Sequence, residues 1–168
     1  MAPADPIDHI LSQWATERPE LDASGFAVVG RVLVLAKTLE RRVDKALEPF
    51  DLALWGFDVL ATLRRQGKPY RLTPTELSRA TMLTTGAMTN RLDRLEDAGW
   101  IRREPDPADR RGLLVALTTE GRRLVDAALE ARFEEANEAV AGLGSRERAE
   151  LARLLGKWIS ALRKEADA

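Results

Sequence analysis

The sequence predicts a mainly α-helical fold with one small β-hairpin, and three observations predict it. Apolar residues recur at helical spacing through most of the chain. A dense start signal, Thr73-Pro74-Thr75-Glu76, opens two short helices split by a tight turn. The period then changes to strand, turn and strand before helical spacing returns. That order places a helix-turn-helix and a hairpin between long amphipathic flanks.

Residues 6–17 carry Ile7, Ile10, Leu11 and Trp14 on one stripe, and Arg18-Pro19 ends the helix because the residue before proline avoids the helical region. Ser24 is placed to cap a second helix over about 24–48, with Phe26, Val29, Val32, Leu33, Leu39, Val43 and Leu47 inward. A third helix is expected over about 51–66, with Asp51 as cap, Trp55, Val59, Leu60 and Leu63 buried, and Gly67 as stop. Thr73 caps the short helix over about 74–80, with Glu76 completing a capping box. The next helix starts near Thr85, buries Met88, Leu92 and Leu95, and stops at Gly99. Strands are expected at 100–104 and 113–117, joined by the turn-rich 105–112. Thr118 or Thr119 caps a helix over about 119–141, with Leu124, Val125, Ala128, Leu129, Phe133 and Val140 inward. Ser145 caps the last, about 146–165, carrying Leu151, Leu154, Leu155, Trp158, Ile159 and Leu162. The flanking helices have more apolar face than one small module can cover, so they are expected to pack on each other and on a second copy of the chain.

Composition narrows the function classes. The 168 residues include no cysteine and one histidine, which excludes a catalytic thiol, a disulfide framework and cysteine-ligated zinc. A Ser-His-Asp triad or a multi-histidine metal site is disfavoured, and His9 reads as an exposed helix residue. No catalytic residue, metal or cofactor is expected. A hydrolase built on Asp106 and Asp109 is disfavoured because neighbouring arginines in an exposed turn keep carboxylates ionised. No apolar run is long enough to span a membrane. The stretch MAPADPIDHI lacks a basic segment followed by an apolar one, so no secretory signal and a cytoplasmic location are expected.

The formal net charge of -1 hides a split. Residues 64–123 hold 13 Lys/Arg against 8 Asp/Glu, a net of +5, and the remainder holds 13 against 19, a net of -6. A basic middle between acidic ends suits a local anionic partner, although a solvated mixed-charge surface has the same composition.

The second helix of the pair has outward positions Thr85, Gly86, Thr89, Asn90, Asp93 and Arg94. A helix fits the DNA major groove, and small residues at its start allow close approach. Asn90 has the groups to pair bidentately with adenine, and arginine with guanine. An ordinary helix pair with a polar outer face fits the same spacing. The hairpin tip Asp109-Arg110-Arg111-Gly112 shifts the balance, because a hairpin can present arginine to a narrow minor groove. Asp109 is placed to orient a guanidinium by charge-assisted hydrogen bonds.

These runs together, with Met88-Thr89-Asn90-Arg91-Leu92-Asp93-Arg94-Leu95-Glu96, Gly99-Trp100-Ile101-Arg102-Arg103 and Leu117-Thr118-Thr119-Glu120-Gly121, resemble the MarR family of bacterial transcriptional regulators. The likeness extends over about 24–165. It implies a winged helix-turn-helix in a homodimer joined through its N- and C-terminal helices, binding a pseudo-palindromic double-stranded DNA operator. It implies dimerisation and a candidate ligand site in 1–48, a DNA-binding domain at 51–118, and dimerisation helices at 119–168. Thr73, Thr84, Thr85, Gly86, Thr89, Asn90 and Arg94 would serve DNA binding, with Arg110 and Arg111 on the wing and Asp109 orienting Arg111. The function implied is a ligand-responsive repressor. The rival reading is a dimeric helical interaction module without specific DNA binding.

Within the family the chain is most similar to the urate-responsive HucR-like and PecS-like branch, which carries an extra N-terminal helix. The resemblance puts Trp14, Asp58 and Arg91 at that branch's ligand positions, and Arg18, one turn after Trp14, is a fourth candidate. The effector implied is small and aromatic or anionic, urate-like or phenolic. Such chemistry suits the residues: tryptophan stacks a flat ring, arginine binds an anionic oxygen, and aspartate accepts ring N–H groups. Trp14 fits equally as plain core, and Asp58 with Arg91 as a structural salt bridge that a ligand competes for. Trp55 and Tyr70 are further aromatic candidates that the sequence leaves unplaced.

Overall fold

A computed structural model describes residues 5–81, 85–109 and 112–166. In chain order the elements are α1 (Pro6–Glu17), α2 (Ser24–Leu47), a 3-10 turn (Glu48–Phe50), α3 (Leu54–Arg65), β1 (Arg71–Leu72), α4 (Pro74–Thr81), α5 (Thr85–Asp97), β2 (Ile101–Pro105), β3 (Leu113–Leu117), α6 (Thr119–Ala139) and α7 (Ser145–Ala166). The chain divides into two compact units, residues 1–54 and 55–168.

In the first unit, Asp5 caps α1 by accepting a hydrogen bond from the Ile7 N–H at 2.9 Å, with Pro6 opening the helix. Ile7 is buried, and its Cδ1 lies 3.0 Å from where a Cβ on Gly30 would stand, so the missing side chain on α2 lets α1 approach closely. Arg31 of α2 clasps α1 through Asp5 at 2.6 Å and Asp8 at 2.5 Å. Ser24 is not the cap that the sequence suggested. It is the first helical residue, and Asp22 accepts its N–H at 2.9 Å. The third helix likewise begins later than expected. Pro49 lies within the 3-10 turn, Asp51 closes that turn in the left-handed region at φ 52°, and α3 starts at Leu54. Aspartate tolerates that conformation better than most residues, so the acidic residue ends a turn here and does not start a helix.

The second unit holds most of the buried apolar residues described. Val59, Leu60 and Leu63 of α3, Leu77 of α4, Met88, Leu92 and Leu95 of α5, Ile101, Val115, Val125 and Ala128 are all buried. Each fully buried large side chain contributes about 1.5–3 kcal/mol relative to exposure. The sheet runs β1-β3-β2, antiparallel throughout, with β3 central. Ile101 faces Leu117 and Pro105 faces Leu113, so the two long strands form the expected hairpin. The edge strand β1 was not expected, because two residues have no period to read. It pairs Arg71 with Ala116 and Leu72 with Val115.

The sheet is tied to α6 through the Trp100 backbone. Thr118 caps α6, accepting the Gly121 N–H at 2.9 Å and donating its hydroxyl hydrogen to Gly99 O at 2.8 Å. Gly121 is buried against Trp100, where a Cβ would lie 1.9 Å from the Trp100 carbonyl oxygen. At the last helix Ser145 is again helical and not the cap; the Gly144 N–H donates to Glu147 at 2.6 Å.

The flanking helices depart from the expected burial. Phe26, Val29, Leu33 and Leu39 of α2, Phe133 of α6, and Leu151, Leu154, Ile159 and Leu162 of α7 are exposed on the single chain. These are apolar faces that helical spacing identified and that were expected to pack on each other and on a second copy of the chain. Trp14 is 52% exposed and so is not core of this chain.

Candidate nucleic-acid interface

The interface elements are built from local signals. Thr73 and Glu76 form the capping box: the Thr73 N–H donates to Glu76 Oε2 at 2.8 Å, and the Glu76 N–H donates to Thr73 Oγ1 at 3.2 Å. The Thr73 hydroxyl also donates to Glu76 Oε2, at 2.9 Å. These bonds, the backbone one foremost, hold the Glu76 carboxyl below its ordinary pKa. Thr73, a candidate DNA contact, is thus engaged in starting α4.

Met88, Leu92 and Leu95 seat α5 in the core. That leaves Thr89, Asn90 and Arg94 exposed on the opposite side. Thr85 and Gly86 lie in the first turn of α5. Thr84, Arg110 and Arg111 lie outside the described residues. The helix ends at Gly99, with φ 74°, while the Trp100 N–H returns to Leu95 O at 3.0 Å.

Arg103 of β2 braces this helix. It donates to Asp93 at 2.6 Å and to Glu96 at 2.6 Å, and its own N–H donates to Glu96 at 2.8 Å. Asp93, which seemed an outward position, is therefore half-buried scaffold. The brace consumes two of the acidic side chains of α5 and leaves the positive charge of Arg91 and Arg94 uncancelled by them. No spacing rule links position 103 to positions 93 and 96, so only the fold reveals the contact.

The hairpin tip is a hydrogen-bonded turn. Asp106 N–H donates to Gly112 O at 3.0 Å, Gly112 N–H to Asp109 O at 2.8 Å, and Ala108 N–H to the Asp106 carboxylate at 2.9 Å. Asp109 is exposed at this tip. Gly112 is required there, since a Cβ would meet the Asp106 Cβ at 2.9 Å.

The unplaced aromatics both sit among arginines. Arg91 and Arg94 approach the Trp55 ring, their Cζ atoms 5.6 Å and 5.0 Å from its centroid. Arg64 and Arg122 approach Tyr70 at 5.2 Å and 5.9 Å, and Arg64 also bonds Asp126 of α6 at 2.6 Å.

Of the candidate ligand residues, Asp58 and Arg91 belong to the second unit and interact electrostatically. Surrounding protein raises the Asp58 carboxyl above its ordinary pKa, opposed by the positive charges of Arg132, Arg65 and Arg91. Asp58 nonetheless stays open to solvent. Arg91 Nη1 is buried without a hydrogen-bond partner. Arg65 and Arg132 were not foreseen; nothing in their sequence positions marks them as neighbours of Asp58. Trp14 and Arg18 belong to the first unit, both exposed, and Arg18 pairs with Glu20. Among the described residues there is no cluster of metal-ligating side chains, and no helix is long and apolar enough to cross a membrane.

Comparison with known proteins gives consistent matches. Residues 50–112 match a model of the MarR family. The HTH-type transcriptional regulator PecS of Dickeya dadantii is 37% identical over 151 residues, covering 90% of this chain and 91% of that protein. A mutant MarR from E. coli, solved in complex with operator DNA, is 31% identical with a TM-score of 0.71, covering 80% of this chain and 96% of the other. Bordetella bronchiseptica BpsR, solved in a study of how 6-hydroxynicotinic acid regulates its DNA binding, is 27% identical with a TM-score of 0.68, covering 77% and 97%.

Proposed function

The chain belongs to the MarR family of transcriptional regulators, and on that footing we propose that it is a ligand-responsive repressor that binds a pseudo-palindromic operator as a homodimer. The observation that carries this reading is the exposed Thr89, Asn90 and Arg94 face of a helix braced by Arg103 beside a hairpin. A rigid helix with a polar, net-positive outer face can enter the major groove, and a hairpin arginine can reach the adjacent minor groove. The apolar faces of α2 and α7 supply the surface for the second copy, whose symmetry a palindromic site mirrors.

The test is a gel-shift titration on a duplex selected by the wild-type protein from random-sequence DNA. Asn90→Ala is expected to cost about 1–3 kcal/mol and relax preference at one base pair per half-site. Arg111→Ala is expected to weaken binding without lowering the melting temperature. Unchanged affinity in both variants removes α5 and the hairpin from the interface.

The effector reading rests on Asp58 and Arg91. A buried guanidinium nitrogen lacking a partner suits an anionic oxygen, and the neighbouring carboxylate suits a ring N–H or a phenol. That BpsR responds to an aromatic acid supports the same ligand class. A thermal-shift screen with urate, xanthine, salicylate and hydroxybenzoates is expected to find a stabilising compound. Asp58→Ala is expected to retain DNA binding while losing most of that compound's releasing effect. An equal response from mutant and wild type excludes Asp58 from the site.

A further inference from the structure

The arginines of α5 are held differently from the arginine that braces it. Arg103 is fixed by two carboxylates. Arg91 and Arg94, one helical turn apart, instead converge on the single ring of Trp55 from α3, both within 6 Å of its centroid. A carboxylate orients an arginine but cancels its field at a nearby phosphate. An aromatic face attracts the guanidinium through its quadrupole and adds no net charge. A ring is therefore the better seat for a cation that must be aimed and still act on an anion.

The seat also answers a steric and electrostatic problem. Two guanidiniums on adjacent turns of one face repel each other. Sharing a ring offsets part of that repulsion and limits the side-chain freedom of the exposed Arg94 before any partner arrives. Trp55 is half-buried, so the ring is itself fixed by packing. Its helix begins just before it and continues into the buried run Val59, Leu60 and Leu63.

We infer that Trp55 is a positioning residue for DNA binding, an aromatic seat that pre-orients Arg94 toward DNA without neutralising it. The inference rests on the reading that α5 enters DNA. Trp55 itself touches no base or phosphate; it acts through Arg94.

A double-mutant cycle on the selected duplex tests it, using the whole 168-residue chain. Trp55→Leu is expected to weaken binding about fivefold, and Trp55→Phe, which keeps a smaller aromatic face, by less than about twofold. In an Arg94→Ala background, Trp55→Leu is expected to lose most of its effect, because the residue it positions is gone. Thermal transitions of all variants are followed in parallel; if Trp55→Leu lacks one, Trp55→Met takes its place in the cycle. Equal losses from Trp55→Leu with and without Arg94 mean that the tryptophan only supports the fold, which overturns the seat. A wild-type protein that selects no duplex overturns the DNA reading and the seat with it. A wild-type protein that binds while the two substitutions act independently overturns the seat alone.

Discussion

Gly121→Ala is expected to destabilise the protein by about 3 kcal/mol or more, through an overpacking clash that no rotamer relieves. The added Cβ would lie 1.9 Å from the Trp100 carbonyl oxygen and 2.7 Å from its carbon. Both are backbone atoms, so either the start of α6 or the α5–β2 junction has to move. The junction has little room to yield. Trp100 N–H is bonded to Leu95 O, and Trp100 O accepts the Thr118 N–H at 3.1 Å. A urea titration reads the effect as a lower midpoint with an unchanged slope. Because the same junction ends α5, the residual folded protein is also expected to bind DNA less tightly. A midpoint equal to wild type means that the close approach of α6 to β2 is not what the structure indicates.

The second large effect concerns assembly. Leu154 and Leu162 lie on α7 with 47% and 51% of their surfaces exposed, beside the exposed Leu151 and Ile159. An apolar stripe of this length along a helix of 22 residues is unusual on a lone soluble chain. Replacing Leu154 and Leu162 together by glutamate puts two charges into the proposed dimer contact, where desolvation makes each costly. The double variant is expected to sediment as a monomer at concentrations where wild type is a dimer. It is also expected to lose more than about a hundredfold in operator affinity, because a monomer engages one half-site without the gain of linkage. A variant that remains dimeric places the interface elsewhere.

How much was legible in the sequence follows from the kind of signal each feature leaves. Local chemistry read well. The Thr73–Glu76 capping box, the Thr118 cap, and the Gly67 and Gly99 stops stand where the sequence put them, because each is decided within a few residues. Caps that compete with neighbours read less well. Asp22 and Gly144 precede helices where Ser24 and Ser145 were expected to cap, since a serine can equally take the first helical position. Periodicity identified the apolar faces of α2 and α7, and their excess over what one small module can cover pointed to a second copy of the chain; the single chain leaves them exposed. Contacts of long sequence separation were invisible. The Arg103 brace, the approach of Gly121 to Trp100, and the arginines facing Asp58 arise only once the sheet and helices have folded together. The exposure of Thr89, Asn90 and Arg94 on α5 was legible in the helical spacing, and the brace that holds that helix was not.

In the proposed complex the basic middle of a nearly neutral chain faces DNA phosphates through α5 and the hairpin. The most direct measurement is the affinity of wild-type protein for its selected duplex at 50 and 200 mM salt. Contact with six to ten phosphates predicts a tight complex at the lower salt that weakens by roughly 10³–10⁵-fold at the higher, as condensed counterions are released. No complex at 50 mM, or an affinity that does not change between the two, is incompatible with a phosphate-bound α5 and hairpin.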